Sequence, residues 1–177
     1  MKKVLFFLSI FFLLCSPAFA MTYANEPKNH DGIPWSSRVE EIGKFGKQLT
    51  FKANLTEQNV SIYALTNQSL NIFNKHFDEI TYHFYKGQFF MVKAIKFNDL
   101  QMSRTLLQKI TSEHGTHTQQ NDLVHQKTTV YHWQGNATTI ILSENFKNKI
   151  TTLTFYNHPL YRNWYMLNKT PSQTRAR

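Results

Sequence analysis

Residues 80–97, ITYHFYKGQFFMVKAIKF, contain the clearest structural pattern in the chain. Two runs of aromatic and β-branched residues flank Lys86-Gly87, which is the arrangement of two antiparallel strands joined by a tight turn. The second run, residues 89–97, is apolar on both of its faces, so we expect it to lie in the middle of a sheet. This stretch therefore predicts a β-hairpin and, with it, an antiparallel sheet.

The residues after this hairpin predict a helix and then more strands. Asp99 is placed to cap the helix, apolar residues recur at helical spacing, and Gly115 is placed to end it. A polar loop is expected at residues 114–126. A second hairpin pattern covers residues 128–143, and a third strand is expected at residues 150–156.

The residues before the hairpin predict one short helix and two strands. Ser37 and Glu40 form a capping-box pattern for a helix over residues 36–46. Alternation of apolar and polar residues predicts strands at residues 49–55 and 60–65.

Together these elements predict an α+β fold. We expect an antiparallel sheet of two or three hairpins, packed by the short N-terminal helix and the central helix. Residues 82–84 (Tyr-His-Phe) and 131–133 (Tyr-His-Trp) each precede a turn with glycine, which suggests a duplicated helix-sheet unit. The expected organisation is a flexible leader (residues 21–32), a single domain (33–168) and a polar basic tail (169–177).

The first twenty residues have the pattern of a secretory signal peptide. A basic start, an apolar run from Val4 to Leu14 and small residues at positions 18 and 20 predict cleavage after Ala20. That run is about half the length needed to span a bilayer. We therefore expect a bacterial protein that is periplasmic or secreted, without a transmembrane segment once the signal is removed.

The position of the single cysteine and the absence of known catalytic motifs exclude several classes of function. Cys15 is the only cysteine and lies in the segment expected to be removed, which excludes disulfides, thiolate catalysis and Cys-ligated zinc from the mature chain. The common hydrolase, metalloprotease and phosphate-loop motifs are absent, and the chain has only six glycines. Enzymatic activity is therefore uncertain, and the sequence favours a binding role.

Histidines are the residues most able to carry chemistry. His114 and His117 are three positions apart and His125 follows in the same polar stretch, so these imidazoles are candidate ligands for zinc or copper. His83 and His132 lie in predicted strands, where alternation directs both to the face opposite their aromatic neighbours. These five histidines are the candidate contact surface, and we assign no catalytic residue.

The balance of charges is basic. The formal net charge is +9, and removal of Lys2 and Lys3 with the signal lowers it to about +7. In an exported protein the expected partner is another protein or an anionic envelope component rather than nucleic acid. We therefore expect an exported, non-enzymatic binding or envelope-associated protein. The alternative is a small histidine-dependent metal-binding protein or hydrolase.

Two stretches carry a resemblance to known proteins. Residues 32–43, GIPWSSRVEEIG, resemble the start of many small exported bacterial proteins of unknown role, and residues 138–156 are similar to their close. The architecture also loosely resembles outer-membrane-assembly lipoproteins of the SmpA/OmlA type and β-lactamase-inhibitor-like domains. The resemblance implies a short helix followed by an antiparallel sheet. The expected mature N-terminus lacks the anchoring cysteine of the lipoproteins, and no functional residue is carried over.

Overall fold

The computed structural model describes residues 25–122 and 127–169. The signal peptide with its cleavage after Ala20, His125 and residues 170–177 of the tail lie outside the described residues. In chain order the elements are β1 (Asn29–His30), β2 (Ile33–Pro34), a 3-10 helix (Val39–Phe45), β3 (Leu49–Leu55), a 3-10 turn (Thr56–Gln58), β4 (Val60–Leu65), β5 (Asn71–Ile72), β6 (Lys75–His76), β7 (Glu79–Tyr85), β8 (Gln88–Phe97), α1 (Gln101–His114), β9 (Thr118–Asp122), β10 (Thr128–Gln134), β11 (Thr138–Asn145), β12 (Ile150–Asn157) and α2 (His158–Lys169).

One large antiparallel sheet organises these elements. Its eight strands lie in the order β3-β4-β7-β8-β12-β11-β10-β9, and each neighbouring pair runs antiparallel. β8, which is apolar on both faces, lies between β7 and β12. The sheet therefore consists of four strands from the first part of the chain and four from the last part. The predicted α+β class is confirmed.

One face of the sheet, here called the inner face, carries the main hydrophobic core. Alternation along β7 directs Ile80, Tyr82 and Phe84 to this face, and each is at most 2% exposed. The elements packed on them contribute the buried side chains Ile33, Ile42, Met102, Leu106 and Ile110. The last three recur every four residues along α1. Burial of each large side chain contributes about 1.5–3 kcal/mol, and this stripe holds α1 against the sheet.

Both ends of α1 are set by the residues that the sequence predicts. The Asp99 Oδ1 atom accepts a hydrogen bond from the Met102 N–H at 2.9 Å. At the other end Gly115 has a φ of +88°, which favours glycine, and its N–H donates to the Thr111 carbonyl at 2.9 Å. The predicted cap and stop of this helix are confirmed.

The opposite face, here called the outer face, is covered in part by α2. This second cluster consists of Val60, Ile62, Tyr85, Phe90, Met91, Leu160, Tyr161 and Trp164. α2 begins after Asn157, whose Oδ1 accepts a hydrogen bond from the Leu160 N–H at 3.2 Å. Pro159 stands in the first turn, where no backbone N–H is required. No helix within the described ranges has the length and apolar character needed to cross a membrane.

The prediction of a continuous polar loop over residues 114–126 is wrong for residues 118–122. They form β9, which pairs with β10 in register from Thr118–His132 to Asp122–Thr128. The sequence of β9, Thr-Gln-Gln-Asn-Asp, lacks apolar alternation because backbone pairing at the edge of the sheet requires none.

The N-terminal helix is a 3-10 helix over Val39–Phe45, not a longer helix over residues 36–46. The Arg38 N–H donates to the Glu41 carboxylate at 3.3 Å, so the acidic capping residue is Glu41 and not Glu40. Ser37 donates its hydroxyl to the Pro34 carbonyl instead of capping the helix. Gly43 lies within this helix and Gly46 directly follows it, and both disfavour a longer, regular α-helix here.

Residues 25–32, expected from composition to belong to a flexible leader, make defined contacts. The Glu26 carboxylate accepts hydrogen bonds from the backbone N–H groups of Ala137 and Thr138. The Pro27 carbonyl accepts a further bond from the Thr138 hydroxyl at 2.7 Å. The segment therefore lies against the turn between β10 and β11.

Candidate ligand-binding site

His83 and His132 lie on the same face of the sheet but far apart. The registers of β7 with β8 and of β10 with β11 direct both side chains to the outer face, opposite Tyr82 and Trp133. β8, β12 and β11 lie between the two strands. Four interstrand steps of about 4.8 Å separate the two histidines by about 19 Å. They cannot act together on one small ligand.

His83 is a buried and hydrogen-bonded residue. Its Nε2 atom lies 3.0 Å from the Thr81 hydroxyl, which donates its own hydrogen to the Lys93 carbonyl. This contact holds the imidazole in place, and the imidazole tautomer decides which of the two groups donates. Burial, with a smaller contribution from the Lys93 charge, lowers the pKa of His83 to about 4. Burial also lowers the pKa of His132.

His114 and His117 have different surroundings although they are three positions apart. His114 ends α1, is buried, and contacts the Phe73 ring edge-on with 6.2 Å between centroids. His117 lies 5.2 Å from the ring centroids of both Tyr131 and Trp133. Each imidazole therefore packs against its own set of aromatic rings.

A metal site is not found in the part of the chain that the structure describes. Residues 25–122 and 127–169 contain no group of three or more His, Cys, Asp or Glu side chains arranged to hold a metal ion. His125 lies outside these ranges. The metal-binding alternative therefore stays a prediction from the sequence alone.

The structure instead shows a cavity of about 640 Å³ formed by three chain segments. We call it the polar cavity. Its lining residues are His30, Asp31, Gly46, Lys47, Gln48, Leu65, Thr66, Asn67, Gln68, Ser69, Asn71 and Ile72. They come from the tip between β1 and β2, the segment before β3, and the segment from the end of β4 into β5. The volume lies within the range of small-molecule sites, about 300–1,000 Å³.

A chain of polar contacts connects the three segments. Gln68 Nε2 donates to the Tyr82 hydroxyl at 2.5 Å, and this hydroxyl donates to Asp31 Oδ2 at 3.5 Å. The Lys47 ammonium lies 3.1 Å from Asp31 Oδ1. Tyr82 is fully buried on β7, so the network anchors the cavity wall to the sheet.

The lining of the polar cavity has balanced charges. Asp31 and Lys47 form an ion pair. His30 packs its ring 4.9 Å from the Phe155 centroid, and burial lowers the pKa of His30 to about 4, so it is neutral near pH 7. Burial, and secondarily the Asp31 charge, raises the pKa of Tyr82, which stays protonated and able to donate.

One atom of the lining lacks a partner. Gln68 Oε1 is buried and accepts no hydrogen bond within the described residues. The Gln68 amide lies with its Nε2 atom toward the Tyr82 hydroxyl. An unmade hydrogen bond of this kind costs about 1–3 kcal/mol.

The sequence does not predict this site, because its residues lie mostly in turns and in connections between strands. Asp31 with Gly32 indicates only a turn, and residues 66–69, Thr-Asn-Gln-Ser, have the composition of an ordinary surface loop. The contact between Gln68 and Asp31 through Tyr82 is a tertiary arrangement that has no sequence pattern.

Comparisons with known proteins do not assign the chain to a group. No family model matches it, and the curated proteins and solved structures gave no significant match. The resemblance to SmpA/OmlA-type and inhibitor-like domains stays a prediction.

Proposed function

We propose that this protein is an exported binding protein that holds a small polar ligand in the polar cavity. The observation that carries the proposal is the cavity itself, about 640 Å³ in volume and lined largely by amide and hydroxyl side chains from three chain segments. A formed concavity of this size is the usual shape of a small-molecule site.

The walls of the cavity are held in place without a ligand, which favours binding. The Thr66 N–H donates to the Gln48 carbonyl at 2.8 Å, so the two segments that flank the cavity are joined by their backbones. The ion pair of Lys47 with Asp31 joins the third segment to them. A site that is ordered beforehand loses little conformational entropy when a ligand enters.

Purified protein would test this proposal by NMR with a panel of small polar metabolites. We expect amide shifts confined to residues of the polar cavity, and weaker binding in Gln68→Leu. Gln134→Leu is the matched control, because Gln134 is exposed on β10, outside the cavity. Native mass spectrometry of the purified protein would show any ligand that stays bound. Absence of shifts and of a bound ligand would overturn the binding role.

The export part of the proposal is supported by the sequence of residues 1–20. A basic start, a short apolar run and small residues before position 21 are typical of a cleaved secretory signal. The net positive charge also suits a compartment with anionic surfaces. Cell fractionation with N-terminal sequencing tests it: we expect exported protein starting at Met21, and intact protein in the cytoplasm would contradict it.

We also infer that the sheet is a duplicated unit of one helix and four strands. The 3-10 helix precedes β3, β4, β7 and β8, whereas α1 precedes β9 to β12. Ile42 and Leu106, one from each helix, both pack into the inner core. β8 and β12, the last strand of each set, lie side by side. A twofold relation of this kind makes β7 equivalent to β11 and β4 equivalent to β10.

That equivalence bears on the two Tyr-His triplets of the sequence. Residues 82–84 lie in β7 and residues 131–133 lie in β10, which are not equivalent strands. The triplets therefore do not support the duplication, which depends on topology alone. An experimental structure in which residues 39–97 and 101–157 superimpose strand for strand would support it. A closer match of β7 with β10 would contradict it.

A further inference from the structure

We propose that one end of the large sheet, here called the basic tip, docks onto an anionic phospholipid bilayer. The basic tip consists of Phe97, Lys127 and residues 146–149, which form the turn between β11 and β12. None of these residues lines the polar cavity, so the proposal is independent of the binding function proposed above. Three observations carry it: two exposed phenylalanines, the lysines beside them, and the hydrogen bonds that order the tip.

Two large apolar side chains are exposed at this end of the sheet, although turns are usually built from polar residues. Phe97 is 45% exposed and Phe146 is 47% exposed, and neither belongs to one of the two hydrophobic clusters. Phe97 pairs with Ile150, and Ile150 pairs with Asn145, the residue before Phe146. Two interstrand steps of about 4.8 Å therefore place Phe97 about 10 Å from the start of the turn. The fold leaves both phenylalanines uncovered in one place, as a contact surface requires.

The lysines of the basic tip have no ion-pair partner among the side chains that the structure describes. Lys127, Lys147 and Lys149 are all exposed, and the four ion pairs of residues 25–122 and 127–169 include none of them. Their charges add to the net charge of +9 of the chain. The tip therefore combines uncompensated positive charge with exposed phenylalanines.

The acidic side chains described near the tip are engaged elsewhere or stand farther back. Asp78 pairs with Lys96 at 2.8 Å, and Asp99 caps α1. Glu144 is only 7% exposed. Glu79 stands opposite Ile95 and therefore lies one row of residues behind Phe97.

Hydrogen bonds hold the tip in shape. The Phe146 N–H donates to the Lys127 carbonyl at 2.9 Å, and the Asn98 N–H donates to the Lys149 carbonyl at 2.8 Å. Within the turn, Asn145 Oδ1 accepts a hydrogen bond from the Asn148 N–H at 2.9 Å. An ordered tip loses little conformational entropy when it docks.

These features fit a lipid surface better than an acidic protein. A stable protein interface buries about 800 Å² on each partner around a contiguous apolar centre. The basic tip offers two phenylalanines about 10 Å apart at the end of a sheet. A bilayer requires no complementary shape, because apolar side chains enter the boundary between headgroups and acyl chains while lysines lie among anionic headgroups.

Co-sedimentation with lipid vesicles would test the proposal. The chain should begin at Met21, which excludes lipid binding by the apolar run of residues 4–14 and removes no residue that the structure describes. One set of vesicles contains equal parts of phosphatidylglycerol and phosphatidylcholine, and the other contains phosphatidylcholine alone. We expect binding to the anionic vesicles that weakens as salt is added, and much weaker binding to the neutral ones. Absence of binding to the anionic vesicles, or equal binding to both sets, would overturn the proposal.

The chain offers a matched control because the dipeptide Phe-Lys is exposed in two places, at residues 146–147 in the tip and at residues 51–52 on the edge strand β3. We expect Phe146→Ser with Lys147→Gln to lower the vesicle partition coefficient about tenfold. Loss of the lysine supplies about fivefold of this, and loss of the ring supplies the rest. Phe51→Ser with Lys52→Gln should bind as the wild type does. An equal loss at both places would overturn the assignment of the surface to the tip.

A second tip variant protects the test from a local folding defect. Lys149 has a φ of +53°, so Lys149→Gly removes a charge and keeps a backbone that glycine adopts easily. We expect about fivefold weaker binding to the anionic vesicles, and unchanged binding in both tip variants would overturn the proposal. Binding to soluble polyglutamate but not to the anionic vesicles would overturn the bilayer as the partner and indicate an acidic protein instead.

Discussion

The Glu26 carboxylate occupies the space beside Gly135 that a side chain at this position would need, at the turn between β10 and β11. A Cβ at position 135 would collide with the Glu26 carboxylate, and it would also lie 2.8 Å from the Thr138 carbonyl oxygen. The carboxylate meanwhile binds the backbone N–H groups of Ala137 and Thr138. Gly135 is therefore required by a tertiary contact with the N-terminal segment and not by backbone conformation.

We predict that Gly135→Ala lowers the free energy of unfolding by about 1–3 kcal/mol, as overpacking typically does. Urea denaturation would measure it. In a Glu26→Ala background the cost should be smaller but not zero, because the Thr138 carbonyl remains close. Gly43→Ala is the control: nothing lies within 4 Å of its Cβ, and we expect unchanged or slightly higher stability. Equal effects at positions 135 and 43 would contradict the prediction.

Two tyrosines on β7 should respond differently to the same substitution. The Tyr82 hydroxyl bonds to Gln68 and Asp31, whereas the buried Tyr85 hydroxyl has no partner within the described residues. We predict that Tyr82→Phe costs about 1–3 kcal/mol, because it leaves buried groups unpaired. Tyr85→Phe should be neutral or stabilising, because it removes an unpaired hydroxyl. Chemical denaturation measures both, and a larger loss for Tyr85→Phe would refute the assignment.

The cap of α1 gives a third prediction. Asp99→Ala removes the acceptor for the Met102 N–H and should lower the free energy of unfolding by about 1 kcal/mol. Asp99→Asn keeps an acceptor oxygen at the same place, so we expect most of the stability to be retained. Thermal denaturation of the two variants distinguishes loss of the cap from loss of charge. If both variants lost stability equally, the charge rather than the hydrogen bond would be responsible.

Burial of His83 predicts a loss of stability in mild acid. Its pKa falls from 6.5 to about 4 on folding, so below pH 6.5 the unfolded chain binds a proton that the folded chain does not. The contribution of neutral His83 to the free energy of unfolding is fully present above pH 6.5. It decreases by about 1.4 kcal/mol per pH unit as the pH falls from 6.5 toward 4. His30, whose pKa is also lowered to about 4, acts in the same direction.

His83→Gln isolates the contribution of His83. The glutamine amide can still donate to the Thr81 hydroxyl, but it does not titrate. Between pH 6.5 and 5 we expect the slope of unfolding free energy against pH to decrease by up to about 1.4 kcal/mol per unit, while the His30 contribution remains. Urea denaturation at several pH values gives the slope, and an identical slope in the variant would contradict burial of a neutral His83.

The parts of the fold that the sequence predicts are those with a local signature. Residues 80–97 show period-two apolar runs around a glycine turn, and α1 shows a cap, a stripe and a stop. β9 has none of these because it is held by backbone pairing with β10. The sequence predicts no helix over α2, because its aromatic residues are weak helix formers.

The candidate site is harder to predict from the sequence than the fold is. The predicted histidines were chosen for their chemistry, yet His83 and His132 lie on strands separated by three others. The polar cavity depends on Asp31, Gln68 and Tyr82 meeting from three separate segments. Amide and hydroxyl residues in connections are common, so only their arrangement in space distinguishes this set.

The pairing of β12 with β8 constrains the order in which the chain can fold. Among the strands of the described residues β12 is the last in chain order, yet it lies between β8 and β11 in the middle of the sheet. Until residue 157 is available, both neighbours present unpaired backbone edges that can associate with other chains. A chain that stops before Ile150 would therefore lack the strand that joins the two halves, and would be prone to aggregate rather than form a slightly shorter protein.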